Sequence, residues 1–194
     1  MTVEEIFKQL SSHMIYGIMF HSQQADYYDF LNLHGYKRMS EYHLFSEMKS
    51  LRKLHRYYLN HFNKLIEEDE VDNPEVVPSS WYRYTRQDVD TNTKRNAVKT
   101  AIESWVSWEE QTKDLYEAMY KELIDINEVA AAKQIACFMH DVDKELKWAQ
   151  RKHITLKAVD FSIDFIMFEQ ENLHDCYKEK MKEIFGHAEH HGDK

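Results

Sequence analysis

Apolar side chains recur at Val98, Ala101, Ile102, Trp105, Trp108, Leu115, Met119 and Leu123. Most are three or four residues apart, the spacing that gathers side chains on one face of a helix. No Pro or Gly interrupts residues 94–124, so the pattern predicts one long helix there. Two tryptophans and Tyr116 make a wide apolar face, which needs several helical partners of similar length. The same periodicity supplies them over residues 3–33, 36–68, 128–152 and 155–186. The first face runs through Ile6, Leu10, Met14, Gly17, Phe20, Gln24 and Tyr28, and the second through Leu44, Met48, Leu51, His55, Tyr58 and Phe62. The fourth carries Ile135, Phe138, Val142, Leu146 and Ala149, and the fifth Val159, Ile163, Ile166, Leu173 and Tyr177.

Local signals mark the ends. Thr2 is placed to cap the first helix, with Glu5 completing a capping box. His34-Gly35 reads as its stop, because glycine is common just past a helix C-terminus. Asn92 or Thr93 is a suitable cap for the third helix and Asn127 for the fourth. So short a link between the first two helices makes them antiparallel neighbours. Residues 69–93 form a connection too long for a simple turn, so it is expected to cross the molecule and leave helices two and three parallel. Residues 187–194 read as a polar, His-rich flexible tail. The expected architecture is all-α: a four-helix bundle with a long crossover and an additional C-terminal helix.

Composition narrows the possible roles. Only four Gly and two Pro, with 30% charged residues, suit long helices. A net charge of −9 disfavours direct binding to nucleic acid or anionic membranes, which require a basic field. No run approaches the length of a membrane span and no secretory leader pattern is present, so a cytoplasmic location is expected. Cys137 and Cys176 lack metal or redox spacing and are expected to be reduced and buried.

Two stretches carry candidate chemistry. Glu109 or Glu110, beside the tryptophans, must lie near the buried face. The crossover holds Trp81, Tyr82, Arg83, Tyr84 and Arg86, the residue types that anchor protein interfaces. They read as a partner-binding surface or as a lid over one end of the bundle. His13, on an otherwise apolar face, reads first as a hydrogen-bonded core histidine and second as a ligand.

The helix order resembles the ferritin-like superfamily, with its single long connection between helices two and three. Trp108-Glu109-Glu110-Gln111 is similar to the stretch from which that family presents a Glu on helix three. Phe138-Met139-His140-Asp141-Val142-Asp143 resembles its helix-four Glu-x-x-His region. The chain also looks like uncharacterised ferritin-like proteins of phages and mobile elements in Gram-positive bacteria.

The resemblance implies a carboxylate-rich diiron site, and this sequence departs from it. The helix-two slot reads Arg52-Lys53-Leu54-His55, and in helix four the ligand types are exchanged. Two metal ions need about four carboxylates, so the expected site is degenerate and no cofactor is expected. Arg52 would neutralise Glu109. The resemblance then implies a non-catalytic helical protein acting through a protein partner. That partner could be a host nucleic-acid-binding protein, in an anti-defence or anti-CRISPR role. The alternative is an iron- or manganese-binding protein with ferroxidase, storage or peroxide-detoxifying activity. Its ligands would be His13, His55, Glu109, His140 and Asp143, with the helix-two pair His43 and Glu47 as substitutes. Either way a monomer or two-fold homodimer is expected rather than a cage.

Overall fold

The computed structural model describes residues 1–67, 69–74, 76, 85 and 89–185. Five helices account for nearly all of these: α1 (Val3–Phe30), α2 (His34–Phe62), α3 (Thr91–Asp125), α4 (Val129–Ala158) and α5 (Ile163–Phe185). No strand occurs among the described residues. At about 1.5 Å per residue, the first four are each about 40 to 50 Å long.

The capping box at Thr2 forms. Its hydroxyl accepts from the Glu5 amide at 3.2 Å, and the Glu5 carboxylate accepts from the Thr2 amide at 2.8 Å. Other ends differ from the sequence reading. Asn32, at φ 62°, turns the chain after α1, while Gly35 lies inside α2. Asn63, also left-handed, ends α2 at Phe62, short of residue 68. Asp90 caps α3 by accepting from the Thr93 amide at 2.7 Å. Asn127 is the left-handed residue of the α3–α4 turn, and Glu128 takes the cap position. In each case a short polar side chain tolerates positive φ or bonds to the local backbone.

The core divides into two apolar clusters. One gathers Tyr28 of α1, Tyr36 and Met39 of α2, Ile102 and Trp105 of α3, Ala149 and Leu156 of α4, and Tyr177 of α5. The other gathers Ile6, Leu10 and Met14 of α1, Leu54 and Tyr58 of α2, Tyr116 and Leu123 of α3, and Ile135 and Phe138 of α4. The starts of α2 and α3 therefore share one end of the bundle, which makes them parallel, as the crossover predicts. Between the two clusters lies a layer of buried polar side chains: His21, His43, Glu47, Glu109 and Thr112.

Helix α5 packs mainly on α2. Tyr36 donates to Glu169, and Lys152 of α4 pairs with the same carboxylate at 2.6 Å, so one carboxylate joins three helices. Phe161, 3% exposed, takes a left-handed conformation in the α4–α5 link; burial of its ring offsets that backbone strain. Both cysteines are free and exposed, contrary to the expected burial. No helix among the described residues is long and apolar enough to cross a membrane.

Candidate functional site

The polar layer is built from four helices. On α3, Glu109 is fully buried four residues after Trp105, whose indole N–H donates to Glu109 Oε1 at 2.9 Å. Glu109 Oε2 has no hydrogen-bond partner. From α2 comes Glu47, buried at 8% exposure, and from α4 Glu145, whose side chain is 19% exposed. His43, one turn before Glu47, places Nδ1 3.7 Å from Glu145 Oε2, and neither of its ring nitrogens is hydrogen-bonded. Its ring lies 5.3 Å from that of His21 on α1 and 4.9 Å from Trp105.

Burial controls the charges here. It pushes the Glu47 carboxyl up to about 8, and the charge of Glu145 adds to the shift. Glu109 also rises well above the ordinary range through burial, then through Glu145 and Glu47, while the Trp105 hydrogen bond opposes the rise. Desolvation of the charged form therefore outweighs hydrogen bonding to it. His21 is driven far below its usual value by burial and by His43, against the Gln24 side chain. The Tyr116 hydroxyl is pushed up by burial and then by Glu47, Glu109 and Glu145 in that order. A cavity of about 20 Å³ lies between Glu47, Ser50, Tyr116, Phe138 and Glu145, room for about one water-sized occupant.

On α1, the residue facing Glu47 is Gly17. A Cβ there would lie 3.5 Å from the Glu47 carboxyl carbon and 3.0 Å from Trp108 Cζ2. The Trp108 ring thus occupies the space that an α1 side chain would need. Bundle diiron sites combine a Glu from each of two helices with a Glu-x-x-His pair from each of the other two. Here three helices offer carboxylates, α1 offers none, and the positions three after Glu47 and Glu145 are Ser50 and Trp148.

Of the ligands expected from sequence, only Glu109 belongs to this layer. His13 stacks on Trp108 with ring centroids 4.2 Å apart and bonds to Thr112 at 2.8 Å. The Thr112 hydroxyl proton is committed to the Trp108 carbonyl, so His13 Nε2 is the donor. Burial lowers His13 to about 4, and it is a neutral core histidine. His55 is half-buried and shares a 2.7 Å hydrogen bond with Ser11 of α1. His140 is exposed, and Asp143 pairs with Lys113 at 3.0 Å on the surface. Arg52 is exposed and does not neutralise Glu109. The substitutes His43 and Glu47 are the α2 residues in the layer. Trp81, Tyr82, Arg83, Tyr84 and Arg86 lie outside the described residues.

Glu145 was missed, although a signal exists: it is in phase with Val142 and Ala149 on the buried stripe of α4. On α2 the expected stripe agrees with the structure at Tyr58 but runs one residue late at Leu44, Met48 and His55. The buried positions of this helix include Tyr36, Met39, Ser40, His43, Glu47, Leu54 and Tyr58, whereas Met48 and Leu59 are 48% and 43% exposed.

No family model and no curated protein matches the chain. Solved structures do. A ferritin of Archaeoglobus fulgidus engineered to a closed form aligns over 90% of this chain and 96% of its own, at 14% identity and a TM-score of 0.72. The open-pore ferritin of the same archaeon aligns over 88% and 93%, at 15% identity and a TM-score of 0.71. A humanized archaeal ferritin aligns over 88% and 94%, at 13% identity and a TM-score of 0.74. The fold is therefore ferritin-like.

Proposed function

We propose that this protein is a ferritin-like metalloprotein that binds one iron or manganese ion in its polar layer. Glu47, Glu109 and Glu145 would hold the ion, with His43 as the adjacent nitrogen donor. The observation that carries this reading is the set of unpaired donors. Two buried carboxyls, Glu47 and Glu109, and the half-buried Glu145 come from three helices, with Glu109 Oε2 and both His43 nitrogens unbonded. Buried polar groups are nearly always satisfied, and a divalent cation would satisfy an acidic set of this kind. An oxygen-rich set with one imidazole suits manganese or iron. Among the described residues no three such side chains stand close enough to chelate an ion as they lie, so binding requires the carboxyls to turn inward.

One ion fits better than two, because Gly17 contributes no carboxylate and Ser50 and Trp148 replace the paired histidines. When bound, such an ion would supply one-electron chemistry toward dioxygen or peroxide. The chain's own part is to hold Glu109 in place through Trp105, to release the Glu47 and Glu109 protons as the ion enters, and to exclude bulk water with Tyr116, Trp105 and Phe138. The protein-binding reading rests on Trp81, Tyr82, Arg83, Tyr84 and Arg86, which lie outside the described residues.

Elemental analysis after loading chelator-treated protein with Fe²⁺ or Mn²⁺ and desalting is the test. About one ion per chain is expected, falling well below that in Glu109→Gln and Glu47→Gln. Wild-type protein retaining no metal, or variants retaining as much as wild type, would defeat the proposal.

A further inference from the structure

A second cavity, of about 410 Å³, opens between α2, α4 and α5. Its rim carries Lys49, Lys53, Lys144 and Lys180, with the Ser46 and Ser50 hydroxyls below them. In a chain of net charge −9, four lysines on one opening are a local reversal of sign. The lining carboxylates Asp141 and Glu145 offset only half of that charge. Lys144 pairs with Asp141 at 3.6 Å, while Lys49, Lys53 and Lys180 have no carboxylate partner among the described residues.

Lys180 is held in place differently. Its ammonium lies 4.6 Å from the Trp148 ring centroid, 4.9 Å from Tyr177 and 5.3 Å from Tyr42. Aromatic faces attract a cation without neutralising it, so this lysine is positioned and still able to pair with an anion. The floor of the cavity holds an unsatisfied buried imidazole, the same one that the metal reading takes as its nitrogen donor. His43 lines it, is only 1% exposed, and makes no hydrogen bond through either ring nitrogen.

We infer that this cavity is a binding site for a small oxyanion, a phosphate or carboxylate group, held by Lys49, Lys53 and Lys180 above His43. Ammonium groups serve as point-charge partners for such groups, and the serine hydroxyls can donate to the remaining oxygens. Lys180 makes α5 part of the site, so the helix added to the four-helix bundle builds one of its walls. The inference goes beyond the metal reading and stands without it.

The test uses full-length, chelator-treated protein, titrated calorimetrically in chloride buffer with inorganic phosphate and, separately, with citrate. Intrinsic tryptophan fluorescence, to which Trp148 at the cavity contributes, follows the same titrations. Saturable binding of at least one anion is expected, weakened about tenfold for each lysine removed in Lys49→Gln and Lys53→Gln. Lys8→Gln, whose lysine pairs with Asp69 away from the cavity, should bind like wild type. All three lysines are on the surface or near it, and circular dichroism checks that the variants fold. Saturable binding of citrate but not phosphate would assign the site to carboxylates, and the converse to phosphates. No saturable heat with either anion, or equal affinity in wild type and Lys49→Gln/Lys53→Gln, would mean an adventitious ion only and would overturn the inference. Because metal is absent throughout, the result is independent of whether iron or manganese binds.

Discussion

Trp105 and Glu109 sit one turn apart on α3, and the indole donates to one carboxyl oxygen at 2.9 Å while the other oxygen is buried without a partner. The hydrogen bond favours a charged carboxylate, yet burial among Glu47 and Glu145 favours the acid, and burial prevails. The layer is thus poised: Glu47 and Glu109 hold their protons when alone and would become anionic beside a cation.

That balance predicts a pH dependence of stability for the metal-free protein. Glu47 has a folded-state pKa raised from 4.5 to about 8, so across that window the native state keeps a proton the unfolded chain has released. Stability must fall as pH rises there. Glu109 acts in the same direction. His13, lowered from 6.5 to about 4, and His21, also lowered, have the opposite effect. Their contribution is complete above pH 6.5 and is lost as pH drops below it. The two effects oppose each other in acid, and above pH 6.5 only the carboxyls act. Urea denaturation of chelator-treated protein should therefore show stability declining from pH 6.5 to about 8, by up to about 1.4 kcal/mol per unit for each proton held. Glu47→Gln should flatten the decline. A flat wild-type profile would contradict the assigned burial of Glu47.

The Lys152–Glu169 pair gives a second prediction. Their side chains are 11% and 12% exposed, and Tyr36 donates to the same carboxylate. Glu169→Ala leaves a largely buried ammonium and a phenol without their partner, a loss of about 3 kcal/mol. For a chain of this size that lowers Tm by about 6 to 12 °C. Replacing both, as Lys152→Met/Glu169→Leu, removes the orphaned charge and should cost less than Glu169→Ala alone. Thermal melts of the three proteins decide it. A double variant worse than the single would show that the pair contributes net stability of its own.

The bundle was legible because long helices with few breakers leave a periodic apolar stripe, as at Val98, Ile102, Trp105 and Met119 on α3. Glu109 was legible for the same reason, since it sits in phase with those residues. The rest of the layer was obscured by its own chemistry. Glu47, His43 and Glu145 are polar, so a search for apolar residues steps around them. On α2 the apolar residues Leu44 and Met48 form a neighbouring and partly exposed ridge. His140 and Asp143 match a motif in spacing, with the ligand types exchanged, but the face they occupy points to solvent and to Lys113. Spacing within one helix constrains phase; which turn meets its neighbours depends on how helices slide against one another, and Gly17 and Gly35 bear on that.

Those two glycines make the third prediction, because each lies within a helix where Ala has the better intrinsic propensity by about 1 kcal/mol. At Gly17 the new methyl would meet Trp108 Cζ2 at 3.0 Å. That atom is at the edge of a side chain, which can yield by a few tenths of an ångström. The gain in propensity and the cost of the shift are then of similar size, so Gly17→Ala should change stability by less than about 1 kcal/mol. At Gly35 a Cβ would lie 1.9 Å from the Gln170 carbonyl oxygen and 2.6 Å from its carbon. Backbone meets backbone there, and no rotamer relieves it. Helix α5 must lift away from α2, which strains the Tyr36–Glu169 contact one residue further on. Overpacking of this kind costs about 1 to 3 kcal/mol, or more where nothing can relax, and exceeds the propensity gain. Gly35→Ala should therefore lower Tm clearly, and amide exchange should show loss of protection concentrated in α5 ahead of α1 and α3. Equal melting temperatures for Gly35→Ala and wild type would mean that α5 does not rest on α2 at this point.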